Sequence, residues 1–407
     1  MNLPRPGWAE VDAEALWWRE VCAISTTLMA QKPSGAALAG MCVSGVGPCL
    51  VLCDEDFTPL RPAILYGVDT RAIDEIASLT AEFGEQNILD RAGTLLSSQA
   101  VGPKLEWVRR HEPQVFERAA GWYGSNSYVA AKLTGEYVMD HHTASQCDPL
   151  YATREFDWNH EWAQRICRHL PLPRLVWPSD VVGTVSSAAA AATGVPAGTP
   201  VAAGTVDAYS EAFSVGVRRP GDQMLMYGST MFLVQIIDEY YSDPTLWTTT
   251  GVDHQSLALA AGTSTAGSLI GWLQSVTGGA SFEDLMAEAQ SVPPGCDGLL
   301  ILPYLAGERT PVFDPQPAVL SPGSRCATVV GTCFALPTKA FRLVSARSSN
   351  ASMTPTPACG PSLSAVVCAV RSGRRRSATS PGAHSWCLNR RSAPATATPS
   401  WLRSVSG

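Results

Sequence analysis

The stretch that decides the fold is V-A-A-G-T-V-D-A-Y-S-E-A-F-S-V-G-V at residues 201–217, followed after a polar turn by M-L-M-Y-G-S-T-M-F-L-V-Q-I-I at 224–237. The apolar run before Asp207 predicts a buried strand, and apolar residues at four-residue spacing after it predict a helix. The second half predicts two strands joined by a tight hairpin at Gly228 and Ser229. A carboxylate therefore lies at a strand-to-helix junction, close in sequence to a glycine turn.

Each half of this stretch can serve phosphoryl transfer, and each also has an ordinary structural explanation. A carboxylate at the position of Asp207 can accept the proton of a substrate hydroxyl, but Asp is also one of the commonest helix N-cap residues. The turn formed by Gly228, Ser229 and Thr230 can direct N–H groups and hydroxyls at phosphate oxygens, but it is also an ordinary hairpin sequence. Local chemistry leaves both alternatives open.

Four motifs extend this pattern along the chain. They are G-T-V-D-A at 204–208, M-Y-G-S-T-M-F at 226–232, T-A-G-S-L-I-G-W-L at 265–273 and P-Y-L-A-G-E-R-T-P-V-F-D-P-Q at 303–316. In this order and spacing they resemble the FGGY family of carbohydrate kinases. The resemblance implies an α/β, ribonuclease H-like (actin-like ATPase) two-domain fold and transfer of a phosphoryl group from ATP to a sugar or polyol.

The resemblance also implies roles for particular residues. Asp207 is expected to be the catalytic residue that accepts the hydroxyl proton, with ATP and Mg²⁺ as cofactors. Gly228, Ser229, Thr230 and Gly267 are expected to lie along the nucleotide phosphates, because glycine admits a close approach and helix N-termini favour anions. For Gly267, helix packing through small residues is the alternative.

Two segments are candidates for contact with the sugar. In the FGGY family the loop after V-S-G holds sugar-contacting side chains, which makes Gly47 and Pro48 candidates. That loop is V-G-P-C here, without the Gln-Met-His or Arg-Glu sequences of family members. The stretch Y-G-V-D-T-R-A resembles the family segment near the sugar hydroxyls, so Asp69 and Arg71 are further candidates, with a salt-bridged surface turn as the alternative.

Composition narrows the class of protein. The 407 residues are 45% hydrophobic, which is enough for two domains with apolar cores. No apolar run approaches the roughly 20 residues of a membrane span, and the first residues do not follow the plan of a secretory signal. The 12 cysteines are scattered, without metal-finger spacing. We expect a cytoplasmic protein. We expect no metal site built from its own side chains, no membrane contact and no nucleic-acid partner. A homodimer is a candidate assembly.

Both ends depart from the family plan. No D-x-G-T phosphate loop precedes Trp8, so the first strands of the N-terminal sugar-binding domain, predicted at 1–215, are expected to be missing. The start of the nucleotide-binding domain is predicted at 216–316, where the resemblance ends. Residues 317–407 carry 11 basic and no acidic side chains, which is typical of a disordered basic tail or of out-of-frame translation.

The sequence thus predicts an incomplete two-domain kinase fold with a C-terminal tail that is expected to be disordered. The predicted activity is ATP-dependent phosphorylation of a sugar or polyol hydroxyl. Weak activity or none is expected if the first phosphate loop and the adenosine site are missing. The alternative is a non-catalytic sugar-binding or regulatory remnant of a kinase. A serine hydrolase is a third idea, which the lack of a G-x-S-x-G elbow disfavours.

Overall fold

The computed structural model describes residues 1–276, 278–292, 310, 366–371 and 386–388. A π-helical turn, Ala13–Trp18, precedes the first α-helix. The helices are α1 Arg19–Gln31, α2 Ile73–Phe83, α3 Glu85–Ala92, α4 Val101–His111, α5 Pro113–Arg118, α6 Ser125–Thr134, α7 His141–Ala144, α8 His160–Cys167, α9 Ser187–Thr193, α10 Asp207–Ser214, α11 Gly267–Val276 and α12 Phe282–Ser291. Within these ranges no helix combines the length and apolarity that a membrane span needs.

The strands are mostly short. In chain order they are β1 Glu10–Val11, β2 Met41–Gly45, β3 Val51–Cys53, β4 Ala63–Ile64, β5 Gly121–Tyr123, β6 Val138–Asp140, β7 Tyr151–Ala152, β8 Asp157–Trp158, β9 Arg174–Val176, β10 Val181–Thr184, β11 Pro200–Val206, β12 Asp222–Tyr227, β13 Met231–Ile237, β14 Trp247–Thr250, β15 Leu257–Thr263, β16 Val366–Arg371 and β17 Trp386–Leu388. The motif at 303–316, apart from Thr310, lies outside the described residues.

The described chain divides into two compact units. The first contains residues 1–220 and 236–259, and the second contains 221–235 and the described residues from 260 onward. The sequence-based boundary at 215/216 lies close to the first crossing of the chain between the units. The return of 236–259 to the first unit is not predicted by the sequence.

Hydrogen bonds within the first unit explain this return. The hydroxyl of Tyr240 donates to the backbone carbonyls of Leu89 and Asp90, at 3.2 and 3.0 Å. The N–H of Thr248 donates to the carbonyl of Gly93 at 2.9 Å. Each bond joins residues about 150 positions apart in the chain, so local sequence patterns carry no sign of them.

The strand predicted before Asp207 is β11, the central strand of a three-stranded sheet in the order β10-β11-β2. Every residue from Val201 to Val206 is buried, as a continuous apolar run predicts. β11 runs parallel to β2, with Val206 opposite Gly45, and antiparallel to β10. Because β2 and β11 are parallel, their carboxyl ends meet at one edge of the sheet.

The predicted helix and hairpin are confirmed. α10 begins at Asp207 and buries Tyr209 and Ala212. β12 and β13 pair antiparallel in the second unit, with Tyr227 opposite Met231 across the turn. The same sheet continues through β12-β16-β17, so the chain after residue 317 contains two strands that the sequence-based prediction lacks. The apolar run V-V-C-A-V of β16 suits a strand because β-branched residues favour extended backbone.

Gly204 makes the closest backbone approach between β11 and β2. Its φ is +68°, in the left-handed region, and a Cβ at this position would overlap the carbonyl oxygen of Val43. The pairing register of the two strands also shifts between Ala202 and Thr205. The glycine is therefore required for β11 to bend beside β2 just before Asp207.

We predict that Gly204→Ala lowers the free energy of unfolding by at least about 3 kcal/mol, because left-handed strain adds to a steric overlap with backbone. Gly135→Ala is the matched control, since Gly135 has φ +82° and no atom within 4 Å of the added Cβ. It should cost only about 1–2 kcal/mol. Urea unfolding of both variants measures the difference, and equal losses would contradict the assignment.

Candidate active site at the carboxyl edge of β2 and β11

Asp207 lies at the edge where β2 and β11 end. It is the first residue of α10 and follows Val206, which occupies the cap position. The hydroxyls of Ser44, at the end of β2, and Ser210, in the first turn of α10, are 3.2 Å apart. Ligands of open α/β sheets bind beyond the carboxyl ends of parallel strands. The structure thus brings the predicted catalytic residue and the V-S-G segment to one edge.

The Asp207 carboxylate is open to solvent. Its Oδ1 accepts a hydrogen bond from the N–H of Ala208 at 2.8 Å, which is a weaker arrangement than a true N-cap. The surrounding protein removes part of its hydration and raises the pKa of the carboxyl above its ordinary value, while the Ala208 N–H lowers it in part. The N-cap alternative is therefore not what the structure contains, and the carboxylate is a stronger proton acceptor than an ordinary Asp.

Gly47 and Pro48 lie beside the end of β11. A Cβ on Gly47 would collide with Cγ1 of Val206, so the loop packs directly against the strand that carries Asp207. The hydroxyl of Ser125 donates to the carbonyl of Val46 and holds the loop from the other side. Contact of Gly47 or Pro48 with a sugar stays a prediction, but their place next to Asp207 agrees with it.

A buried carboxylate, Asp140, stabilises this edge of the sheet. Asp140 accepts hydrogen bonds from Nδ2 of Asn126 at 2.8 Å, the N–H of Thr143 at 3.0 Å and Oγ1 of Thr205 at 2.8 Å. Burial raises the pKa of Asp140, and the three donors oppose that rise. The sequence-based prediction gives Thr205 no role, although its hydroxyl ties the strand before Asp207 to Asp140; a lone hydroxyl in an otherwise apolar strand next to Asp207 is the signal.

Asp69 and Arg71 occupy a different environment from the one predicted. Both side chains are 0% exposed, and the Arg71 guanidinium donates to Asp69 at 2.7 Å and to Glu10 at 2.8 Å. The guanidinium carbon also lies 4.0 Å from the ring centroid of Trp8. The salt bridge of the structural alternative is present, but the pair is buried and does not form a surface turn. Contact of Asp69 or Arg71 with a sugar stays a prediction.

Three of the four residues predicted to bind nucleotide phosphates meet in the second unit. The N–H of Gly267 donates to the carbonyl of Gly228 at 2.9 Å, and the N–H of Ser268 donates to that of Ser229 at 3.2 Å. A Cβ on Gly267 would lie 2.6 Å from the carbonyl oxygen of Gly228. Only a glycine at this position therefore lets the hairpin come this close. This close approach gives Gly267 a structural reason to be glycine, and its contact with a nucleotide phosphate stays a prediction. Ser229 and Thr230 remain exposed.

Comparison with known proteins shows which family this chain resembles. Residues 1–214 match the profile of the FGGY family of carbohydrate kinases, N-terminal domain. The xylulose kinase of Bacillus subtilis (strain 168) is 28% identical over 323 residues, which cover 76% of this chain and 62% of that protein. The gluconokinase of the same strain is 26% identical over 282 residues, which cover 66% of this chain and 54% of that protein.

A solved structure of a xylulose kinase has a fold similar to that of this chain. The xylulose kinase from Rhodospirillum rubrum superposes with a TM-score of 0.79 at 31% identity, covering 86% of this chain and 71% of that one. This similarity confirms the predicted α/β, ribonuclease H-like (actin-like ATPase) fold. The chain spans less than two thirds of the length of the curated relatives named above. Because the family profile covers more than half of the chain, the chain belongs to the FGGY family of carbohydrate kinases.

Proposed function

We propose that this chain transfers the γ-phosphoryl group of ATP to a hydroxyl of a sugar or polyol. The observation that carries the proposal is the position of Asp207, which is an exposed carboxylate with a raised pKa at the edge where β2 and β11 end. A cytoplasmic location and a homodimer stay predictions from the sequence.

In the proposed reaction Asp207 acts as the general base. Its carboxylate accepts the proton of the acceptor hydroxyl while the hydroxyl oxygen bonds to the γ-phosphorus. The bond from that phosphorus to the β–γ bridging oxygen breaks, and ADP leaves. A positioned base of this kind contributes about 10²–10⁴-fold to a rate. The raised pKa of Asp207 favours proton transfer to it.

Neighbouring groups can orient the acceptor. Ser210 follows Asp207 by three residues and so lies on the same side of α10. Its hydroxyl meets that of Ser44, which places two hydroxyls next to the carboxylate. The loop containing Gly47 and Pro48 adds backbone groups from the other strand end. Together these groups can hydrogen-bond a polyhydroxylated acceptor and hold one hydroxyl near the base.

The nucleotide would be held by the second unit. Ser229 and Thr230 expose their hydroxyls at the β12–β13 turn and can face phosphate oxygens. The described residues contain no group of three or more His, Cys, Asp or Glu suited to a metal ion. Mg²⁺ usually binds one or two carboxylates together with substrate phosphates, and when bound it would neutralise phosphate charge.

The relatives suggest which acceptors to test first. Xylulose and gluconate are the substrates implied by the names of the two relatives described above, and both carry several hydroxyls. One observation favours the non-catalytic alternative: the N–H groups of Gly267 and Ser268 already bond to hairpin carbonyls and are not free for phosphate. Sugar binding without ATP binding would support that alternative.

We predict that Asp207→Asn abolishes ATP-dependent phosphorylation of the acceptor, with a loss of at least about 10²-fold, because the amide cannot accept the proton. Acceptor binding by calorimetry should change by less than about threefold, since the amide keeps the size and polarity of the side chain. Asp157→Asn, at an exposed carboxylate of β8, is the matched control and should keep full activity. Full activity of Asp207→Asn would contradict the assignment of the base.

The raised pKa of Asp207 predicts a pH dependence. The base works only when deprotonated, so kcat/KM should fall by one power of ten per pH unit on the acid side. The midpoint should lie above the ordinary Asp pKa of about 3.9 and mark the pKa of the free enzyme. Steady-state rates across pH measure it. A midpoint at or below the ordinary value would contradict the raised pKa.

A further inference from the structure

Helix α7 holds a buried histidine whose hydrogen bonds are complete. His142 is 0% exposed. Its Nδ1 lies 2.6 Å from the carbonyl oxygen of Thr250, and its Nε2 lies 2.5 Å from the side-chain amide nitrogen of Gln146. A carbonyl oxygen only accepts, so Nδ1 must carry the hydrogen, and Nε2 then accepts from the Gln146 amide. The two partners therefore determine both the tautomer and the orientation of the ring.

The burial of His142 also keeps its ring uncharged. Burial lowers the pKa of His142 to about 3, although the hydrogen bond to Thr250 opposes this change. The ring is therefore neutral throughout the pH range in which the proposed reaction would run. His142 is not placed to exchange protons with solvent, and a role that depends on its shape and hydrogen bonds fits it better.

The ring of His142 packs against α10, the helix that starts at Asp207. Its centroid is 3.5 Å from that of Tyr209, two residues after the proposed base, with a tilt of 33° between the planes. The Tyr209 hydroxyl is hydrogen-bonded to Oγ1 of Thr249 at 2.9 Å. Thr249 precedes Thr250, the His142 partner, at the end of β14. His142 and Tyr209 thus join α7, α10 and β14 within the first unit.

Hydrogen bonds also hold both ends of α7 in place. The hydroxyl of Ser145, directly after the helix, donates to the carbonyl of His142 at 2.8 Å and accepts from the N–H of Thr250 at 3.1 Å. At the other end, Asp140 binds the N–H of Thr143 and the hydroxyl of Thr205. The strand before Asp207 and the helix after it are therefore both held by α7.

We propose that His142 is a positioning residue of the kinase site, which sets the orientation of α10 and hence of the Asp207 carboxylate through its contacts with Thr250 and Tyr209. The kinetic consequence of this proposal rests on the proposed function; the structural consequence does not. Displacement of a catalytic group by about 1 Å can cost about 10²-fold in rate, so a residue without substrate contact can affect kcat strongly.

The central test replaces His142 while keeping a flat ring in its place. His142→Phe removes both hydrogen bonds and should lower kcat about 10- to 100-fold, with the KM for the acceptor changed less than about threefold. Tyr209→Phe removes only the bond to Thr249 and should lower kcat by a smaller factor. His141→Phe is the matched control, because His141 lies on the same helix but bonds to Tyr151 and stacks on Trp177. It should leave kcat within about twofold of wild type.

Amide hydrogen exchange gives a readout that does not require activity. Folded His142→Phe should exchange the α10 amides at least about tenfold faster than wild type, whereas His141→Phe should not. If the wild-type chain phosphorylates no acceptor, the proposed function fails and the exchange of α10 alone decides the role of His142. Unchanged exchange in folded His142→Phe overturns the proposal, as does unchanged kcat where wild type is active.

A measurement on the wild-type protein covers the case in which His142→Phe does not fold. Nitrogen NMR of the histidine rings should find His142 as the Nδ1–H tautomer, without titration between about pH 5 and 8. An Nε2–H tautomer, or a charge change in that range, would mean that the ring does not make the bond to Thr250. Either result would overturn the proposal.

Discussion

The buried carboxylate of Asp140 is the interaction on which the active-site edge depends. A carboxylate that is removed from water must find donors within the protein, because a buried unpaired charge is very costly. Asp140 finds three donors, and they come from different elements: Asn126 in α6, Thr143 in α7 and Thr205 in β11. Satisfying this one group therefore holds together the strand that leads to Asp207 and the helix that carries His142.

The parallel pairing of β2 and β11 determines which groups meet at the active-site edge. β11 can run parallel to β2 at its required distance only because Gly204 carries no Cβ. The parallel pairing brings Gly45 opposite Val206, so the loop after β2 and the first turn of α10 begin side by side. A carboxylate, two hydroxyls and a glycine loop then share one open edge, which is an arrangement suited to binding and deprotonating a polyol.

The parts of the fold that could be predicted are those that local patterns determine. A continuous apolar run and four-residue spacing predicted β11 and α10, and Gly228-Ser229 predicted the hairpin, because each pattern reflects burial within one element. The family resemblance extended the prediction to the whole architecture.

The parts that could not be predicted depend on partners far away in the chain. Arg71 is buried because Asp69 and Glu10 neutralise it, and Glu10 is 61 residues away. Residues 236–259 return to the first unit and form hydrogen bonds with the carbonyls of Leu89 in α3 and of Gly93 directly after it. Thr250, the hydrogen-bond partner of His142, is 108 residues away from it in the chain. Nor does the sequence show that the N–H of Gly267 is taken by the hairpin.

The most direct test of this account is a crystal structure of the 407-residue chain with an acceptor sugar bound. We predict that one hydroxyl oxygen of the sugar lies about 2.6–3.2 Å from a carboxylate oxygen of Asp207, at the edge formed by β2 and β11. A sugar bound elsewhere in the chain, or bound at this edge with no hydroxyl within reach of Asp207, would contradict it.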